Sequence, residues 1–182
     1  PLLLTVIVLL HWQGRSLPSN RAHLYDAAVR TLLKTWPAEH RGVQLNEHFL
    51  REWIAPVARR VFSEGDAAVV PEAELRAMLV ESMLALKTVT DADARDQTDA
   101  LLQDVEEHTG LLIPKGTDER GGEVYGFSHL TFAEYLTAYD LSRDLDAGTL
   151  DVAWYTRDPE WREVLLLLAG HLGNENSRRA GA

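Results

Sequence analysis

Seven histidines, His11, His23, His40, His48, His108, His129 and His171, are the side chains best suited to hold a metal or move a proton near neutral pH. Their spacing argues against a shared site. No H-E-x-x-H pair occurs and no two lie four apart on one helix face, so they read as separate structural or surface residues. The phosphate-cradling pattern G-x-x-x-x-G-K-[ST] is absent, and the stretch from Gly116 to Gly122 fails it because no Lys-Ser or Lys-Thr follows the glycines. No G-x-S-x-G elbow offers a serine nucleophile. The acids Asp91, Asp93, Asp96, Asp99, Asp104, Glu106 and Glu107 lack the fixed Gly and terminal Glu of a calcium loop and read as a solvated helix face. With no cysteine, disulfides, zinc ribbons, thiolate catalysis and iron–sulfur ligation are excluded, and a reducing, cytoplasmic setting fits. No catalytic residue and no metal ligand is assigned.

His129 differs from the other histidines in its setting. It lies between a strand candidate ending at Phe127 and a helix beginning near Thr131, so its ring can sit beside the free N–H groups of a helix start, where anions bind. It can donate to a phosphate oxygen arriving from a neighbouring domain, or hydrogen-bond locally within the turn.

The elements that would position these groups are mostly helical. The chain has 182 residues, 46% hydrophobic and 25% charged, with a net charge of −10 that repels a nucleic-acid backbone. Leu2 to Trp12 reads as a helix apolar nearly all round, interrupted by His11, Gln13 and Arg15 well before membrane-spanning length. Ser19 or Asn20 can cap a second helix through Leu24, Tyr25, Ala28, Val29, Leu32, Leu33 and Trp36. A third runs from Asn46 towards Gly65, with Pro56 expected to kink it. The segment from Pro71 to Val80 predicts a helix with an acidic first turn, and Ala94 to His108 another. Leu111–Ile113 and Val124–Phe127 predict a hairpin about a Gly-rich turn. Thr131 and Glu134 have capping-box spacing, and Asp158-Pro159 opens a last helix expected to stop at Gly173. Trp12, Trp36, Trp53, Trp154 and Trp161 read as core. Helix, helix, strand, strand, helix is an order that can build a winged helix.

The segment Gly126-Phe127-Ser128-His129-Leu130-Thr131-Phe132-Ala133-Glu134-Tyr135-Leu136-Thr137-Ala138 resembles the F-x-H-x-x-F-Q-E-[FY]-x-A-A motif of NACHT-family STAND NTPases, relatives of NOD-like receptors, with Ala133 where the family has Gln. Pro1-Leu2-Leu3-Leu4-Thr5 is similar to the N-P-L-x-L-T opening of that family's helical subdomain. Arg15-Ser16-Leu17-Pro18 with Leu24-Tyr25 is similar to its continuation. Trp161-Arg162-Glu163-Val164 to Ala169-Gly170 resembles the helix after the family's winged helix.

The resemblance implies a helical subdomain over 1–66, a winged-helix subdomain over 67–146, the first helix of a following helical module over 147–173, and a frayed tail over 174–182. It also implies a role: folding over ADP held with Mg²⁺ by a P-loop NTPase domain, with His129 on the phosphate and Pro1 on the adenine, and keeping the molecule closed. Exchange to ATP would release the clamp and permit homo-oligomerisation, in bacteria often for anti-phage defence. The chain carries no P-loop, so it is not expected to hydrolyse ATP alone. Two rival readings are a nucleotide-independent helical scaffold for protein partners and a winged-helix DNA-binding regulator. The second is disfavoured by the single Arg against several acids in Ala94 to His108. No membrane or nucleic-acid partner is expected.

Overall fold

The computed structural model describes residues 7–8, 20–34, 47–63, 69–85, 89–104 and 111–180 of the chain. Most of the first apolar helix, Pro1, Trp12 and Trp36 lie outside them. The described elements are α1 (Arg21–Lys34), α2 (Glu47–Ser63), β1 (Val70–Pro71), α3 (Glu72–Ala85), α4 (Asp91–Asp104), β2 (Leu112–Thr117), β3 (Glu123–Phe127), α5 (Leu130–Asp146), α6 (Val152–Tyr155), a 3-10 turn (Pro159–Trp161) and α7 (Arg162–Ala180). The fold is mostly α, as the periodicity predicts. Among the described residues no helix is long and apolar enough to cross a membrane.

Local chemistry explains the element ends. The Asn20 side chain accepts from the His23 N–H at 2.8 Å and so starts α1. α2 runs through Pro56 and stays helical on both sides of it. β1, β3 and β2 form an antiparallel sheet in that order, with Val70 opposite Tyr125 and Leu112 opposite Phe127. β1 is too short to be visible as a sequence pattern; its Pro71, like Pro114 on β2, lies on an edge strand, where a missing N–H is tolerated. The β2–β3 turn is tied by Asp118, whose carboxylate accepts from the Arg120 N–H at 2.8 Å and the Gly122 N–H at 2.9 Å. Gly121 there takes φ +80°, a conformation that excludes most side chains. Just past the end of α5, Gly148 takes φ +72° and its N–H donates to the Leu145 carbonyl.

α5 is the central element of the described structure: ten of its residues are buried, and it packs on α2 and α7 most extensively. One contiguous core joins Leu24, Val29 and Ile54 to Leu75, Met83, Leu101, Phe127, Leu136 and Leu168. Trp53 and Trp161 belong to the core, as expected, but Trp154 is 56% exposed. It meets Tyr155 and Trp161 edge-on, and among the described residues no element covers its other side. The last helix passes through Gly173 to Ala180. Gly173 does not take the left-handed conformation that would cap a helix, and a helical Gly costs only about 1 kcal/mol.

Candidate functional site

The functional candidate His129 stands where β3 hands over to α5. The ladder reaches as far as Ser128, whose N–H donates to the Leu111 carbonyl at 3.0 Å, and His129 keeps an extended backbone (φ −137°, ψ 135°) as the N-cap of α5. The helix therefore starts at Leu130, and Thr131 and Glu134 are not its capping box. Because the strand holds the chain up to residue 128, the first helical turn comes before Thr131 can serve as a cap. The His129 side chain makes no capping hydrogen bond; the Phe132 N–H donates to the His129 carbonyl at 3.1 Å, which leaves the Leu130 and Thr131 N–H groups of the first turn without an intrahelical acceptor. Ring and cap coincide here: His129 and Leu130 are exposed, whereas Phe127 and Phe132 on either side are buried. The exposed His129 ring meets Phe132 edge-on, with centroids 6.2 Å apart. An imidazole and the Leu130 and Thr131 amides at the positive end of a 17-residue helix form a donor set suited to an anion. Pro1 lies outside the described residues.

Beneath this surface, α5 is held by a polar network that periodicity does not reveal. Asp26 on α1 accepts from Tyr135 Oη at 2.6 Å, Arg51 at 2.7 Å and Arg30 at 2.8 Å. Burial pushes the Asp26 carboxyl up, but the Tyr135 hydrogen bond and the two guanidinium charges outweigh it and hold the group below its ordinary value. One turn on, Tyr139 donates to Glu52, and Arg143 pairs with the same carboxylate at 3.1 Å. The Arg51 guanidinium covers the Tyr139 ring at 4.0 Å, and burial with the Glu52 hydrogen bond raises the phenol to about 12. Further along, Arg59 on α2 reaches Asp140 at 3.2 Å, Asp144 at 2.6 Å and Tyr155 Oη at 2.6 Å. Asp140 is nonetheless raised, because burial outweighs the attraction of Arg59. Tyr135, Tyr139 and Arg143 recur every four residues, so one stripe of α5 carries polar groups into the α1–α2 side. The sequence carries no distinct signal of this network, because Arg51, Glu52 and Arg59 share α2 with Glu47, His48 and Arg60.

Glu134, part of the motif around His129, is half-buried and raised by burial and by the charge of Glu163. The exposed face of α4 is acidic, with Arg95 engaged by Asp91 at 3.0 Å.

A hairpin whose β2 strand is exposed from Pro114 onward, a third short strand and the paired helices α3 and α4 ahead of it define a winged helix-turn-helix. The chain belongs to one family of such modules: the winged helix-turn-helix domain C-terminal to NACHT, whose description matches residues 21–141. The matched span begins with α1 and includes α2. Comparison with curated proteins and with solved structures gives no match.

Proposed function

We propose that this chain is the nucleotide-sensing, autoinhibitory part of a NACHT-type signal-transduction ATPase, clamping ADP that a P-loop domain holds with Mg²⁺. The observation that carries the reading is the exposed His129 ring at the uncapped start of α5. Its imidazole N–H donates to a phosphate oxygen, while the helix start adds partial positive charge beside the ring. Pro1 is the adenine contact of the same clamp. Loss of the phosphate contact on exchange to ATP releases the domain, and the opened molecules assemble into a homo-oligomer; anti-phage defence in the cytoplasm is the setting that suits such a switch. This chain contributes recognition and no catalytic group. The acidic α4 face supports the choice of a protein-domain partner over nucleic acid.

The test uses the polypeptide in which this domain and its P-loop domain occur together. A hydrogen bond to a charged group contributes about 1.5–3 kcal/mol, so His129→Ala is expected to weaken ADP retention roughly tenfold or more and shift the protein towards oligomer. His129→Gln, which keeps an N–H donor, should fall between. Unchanged ADP affinity together with an unchanged oligomer distribution would remove His129 from the clamp.

A further inference from the structure

Residues 147–160 lead from the end of α5 through the short helix α6 to the turn at Trp161. Tyr155 alone among them is buried; Leu150 is half-buried and the others are exposed. The hydrogen bonds of this stretch are local. Gly148 and Thr149 tie its start to α5, their N–H groups donating to the Leu145 carbonyl at 3.0 Å and the Asp144 carbonyl at 2.9 Å. Further on, the Trp154 N–H donates to the Asp151 carbonyl at 3.2 Å, the Thr156 N–H to the Val152 carbonyl at 3.2 Å and the Arg157 N–H to the Trp154 carbonyl at 3.4 Å. Among the described residues, one hydrogen bond leaves residues 150–157 for another part of the fold: Tyr155 Oη accepts from Arg59 Nη2 on α2 at 2.6 Å.

Arg59 does not depend on that contact. Its Nη1 serves Asp144 at 2.6 Å and Asp140 at 3.2 Å, so the guanidinium stays paired with α5 whether or not the tyrosine is in place. Undocking Tyr155 therefore costs one hydrogen bond and the burial of one ring, and it leaves the pairing of α2 with α5 intact. We infer that residues 147–160 are a strap that opens as a unit over helices that stay folded, with Tyr155 on Arg59 as its latch. The Trp161 ring meets Tyr155 at 4.6 Å and Trp154 at 6.1 Å between centroids. The closed form shows Trp154 and buries Trp161; opening presents both indoles. The strap shares no residue with the start of α5, so the device is independent of the nucleotide reading.

Amide hydrogen exchange of the 182-residue chain, followed residue by residue at denaturant concentrations below the unfolding transition, tests this. The Trp154, Thr156 and Arg157 amides should exchange at a reduced rate that denaturant barely alters, the mark of an opening that exposes little surface, whereas amides at the centre of α5 should follow global unfolding. Tyr155→Phe keeps the ring and removes the acceptor. It should speed the strap amides about tenfold and leave those of α2 and α5 unchanged; tenfold is the lower end for a hydrogen bond to a charged group, chosen because the Arg59 side chain is 30% accessible. Arg59→Lys keeps a charge for Asp140 and Asp144 but loses the second donor arm, so it should speed the same amides by a similar factor. The double variant should exchange no faster than the faster single one, since both changes remove one bond. Strap amides that exchange only with global unfolding, or that have no protection in the original chain, overturn the inference. So do a Tyr155→Phe chain that exchanges like the original, acceleration that extends equally to α5, and single-variant factors that multiply.

Discussion

Replacing Asp26 by Ala tests whether the buried network holds α5 in place. The carboxylate is 16% accessible and its partner Arg51 only 9%, so removing the acid strands a guanidinium and the Tyr135 hydroxyl in a desolvated site. Breaking a buried pair from one side costs about 3–5 kcal/mol, and the residual accessibility of Asp26 places the expected loss near about 3 kcal/mol. For a chain of this size about 2–4 °C of Tm goes with each kcal/mol, so a drop of roughly 6–12 °C should follow. Urea denaturation read by the fluorescence of the buried Trp53 and Trp161 measures the free energy directly. Asp26→Asn keeps an acceptor for Tyr135 and should lose only about 1–2 kcal/mol. A cycle with Tyr135→Phe should give a coupling of about 1 kcal/mol or more, because the two groups share one hydrogen bond. A loss below about 1 kcal/mol for Asp26→Ala, or an Asn variant as damaged as the Ala one, would refute the view that the pairing itself is what stabilises the site.

Titration gives a second check with a definite sign. Asp26 is held below its ordinary value in the folded state, so its stabilisation is complete above about pH 4 and is lost as pH falls through the lower folded value; Asp26→Asn should flatten that acid limb of a stability–pH curve. Asp140 is raised instead, so its contribution has the opposite sign: it favours the fold when protonated and fades as pH rises through the raised value, and Asp140→Asn should reduce that change. Two glycines of α7 should respond oppositely to alanine. A Cβ at Gly170 would meet Ala22 Cβ at 2.9 Å, so Gly170→Ala should force α1 and α7 apart and destabilise by about 1–3 kcal/mol, while Gly173→Ala has open space and should gain about 0.5–1 kcal/mol in thermal melts. His129→Ala should leave stability within about 0.5 kcal/mol, since the ring is exposed and caps nothing; a larger loss in urea denaturation would give it a structural role.

The helical repeats of Leu24 to Leu33 and Trp53 to Val61, the Gly-rich hairpin and the strand-to-helix setting of His129 were legible in the chain because each is a local property: spacing, turn chemistry and end signals act over a few residues. The same locality explains the misses. Strand β1 is two residues long and exists only because β3 offers Val70 an edge, so no pattern within the segment could announce it. Thr131 and Glu134 have the spacing of a cap, yet the ladder through Ser128 fixes where the helix begins. Trp154 is as apolar as Trp161, and only the placement of a short helix at the surface separates the exposed indole from the buried one. Asp26, Arg51, Glu52 and Arg59 look like ordinary charges of soluble helices. Their partners lie on α5, far along the chain, and tertiary packing alone made them one network: the pairings hold only when α1, α2 and α5 are already side by side in a medium that water no longer screens.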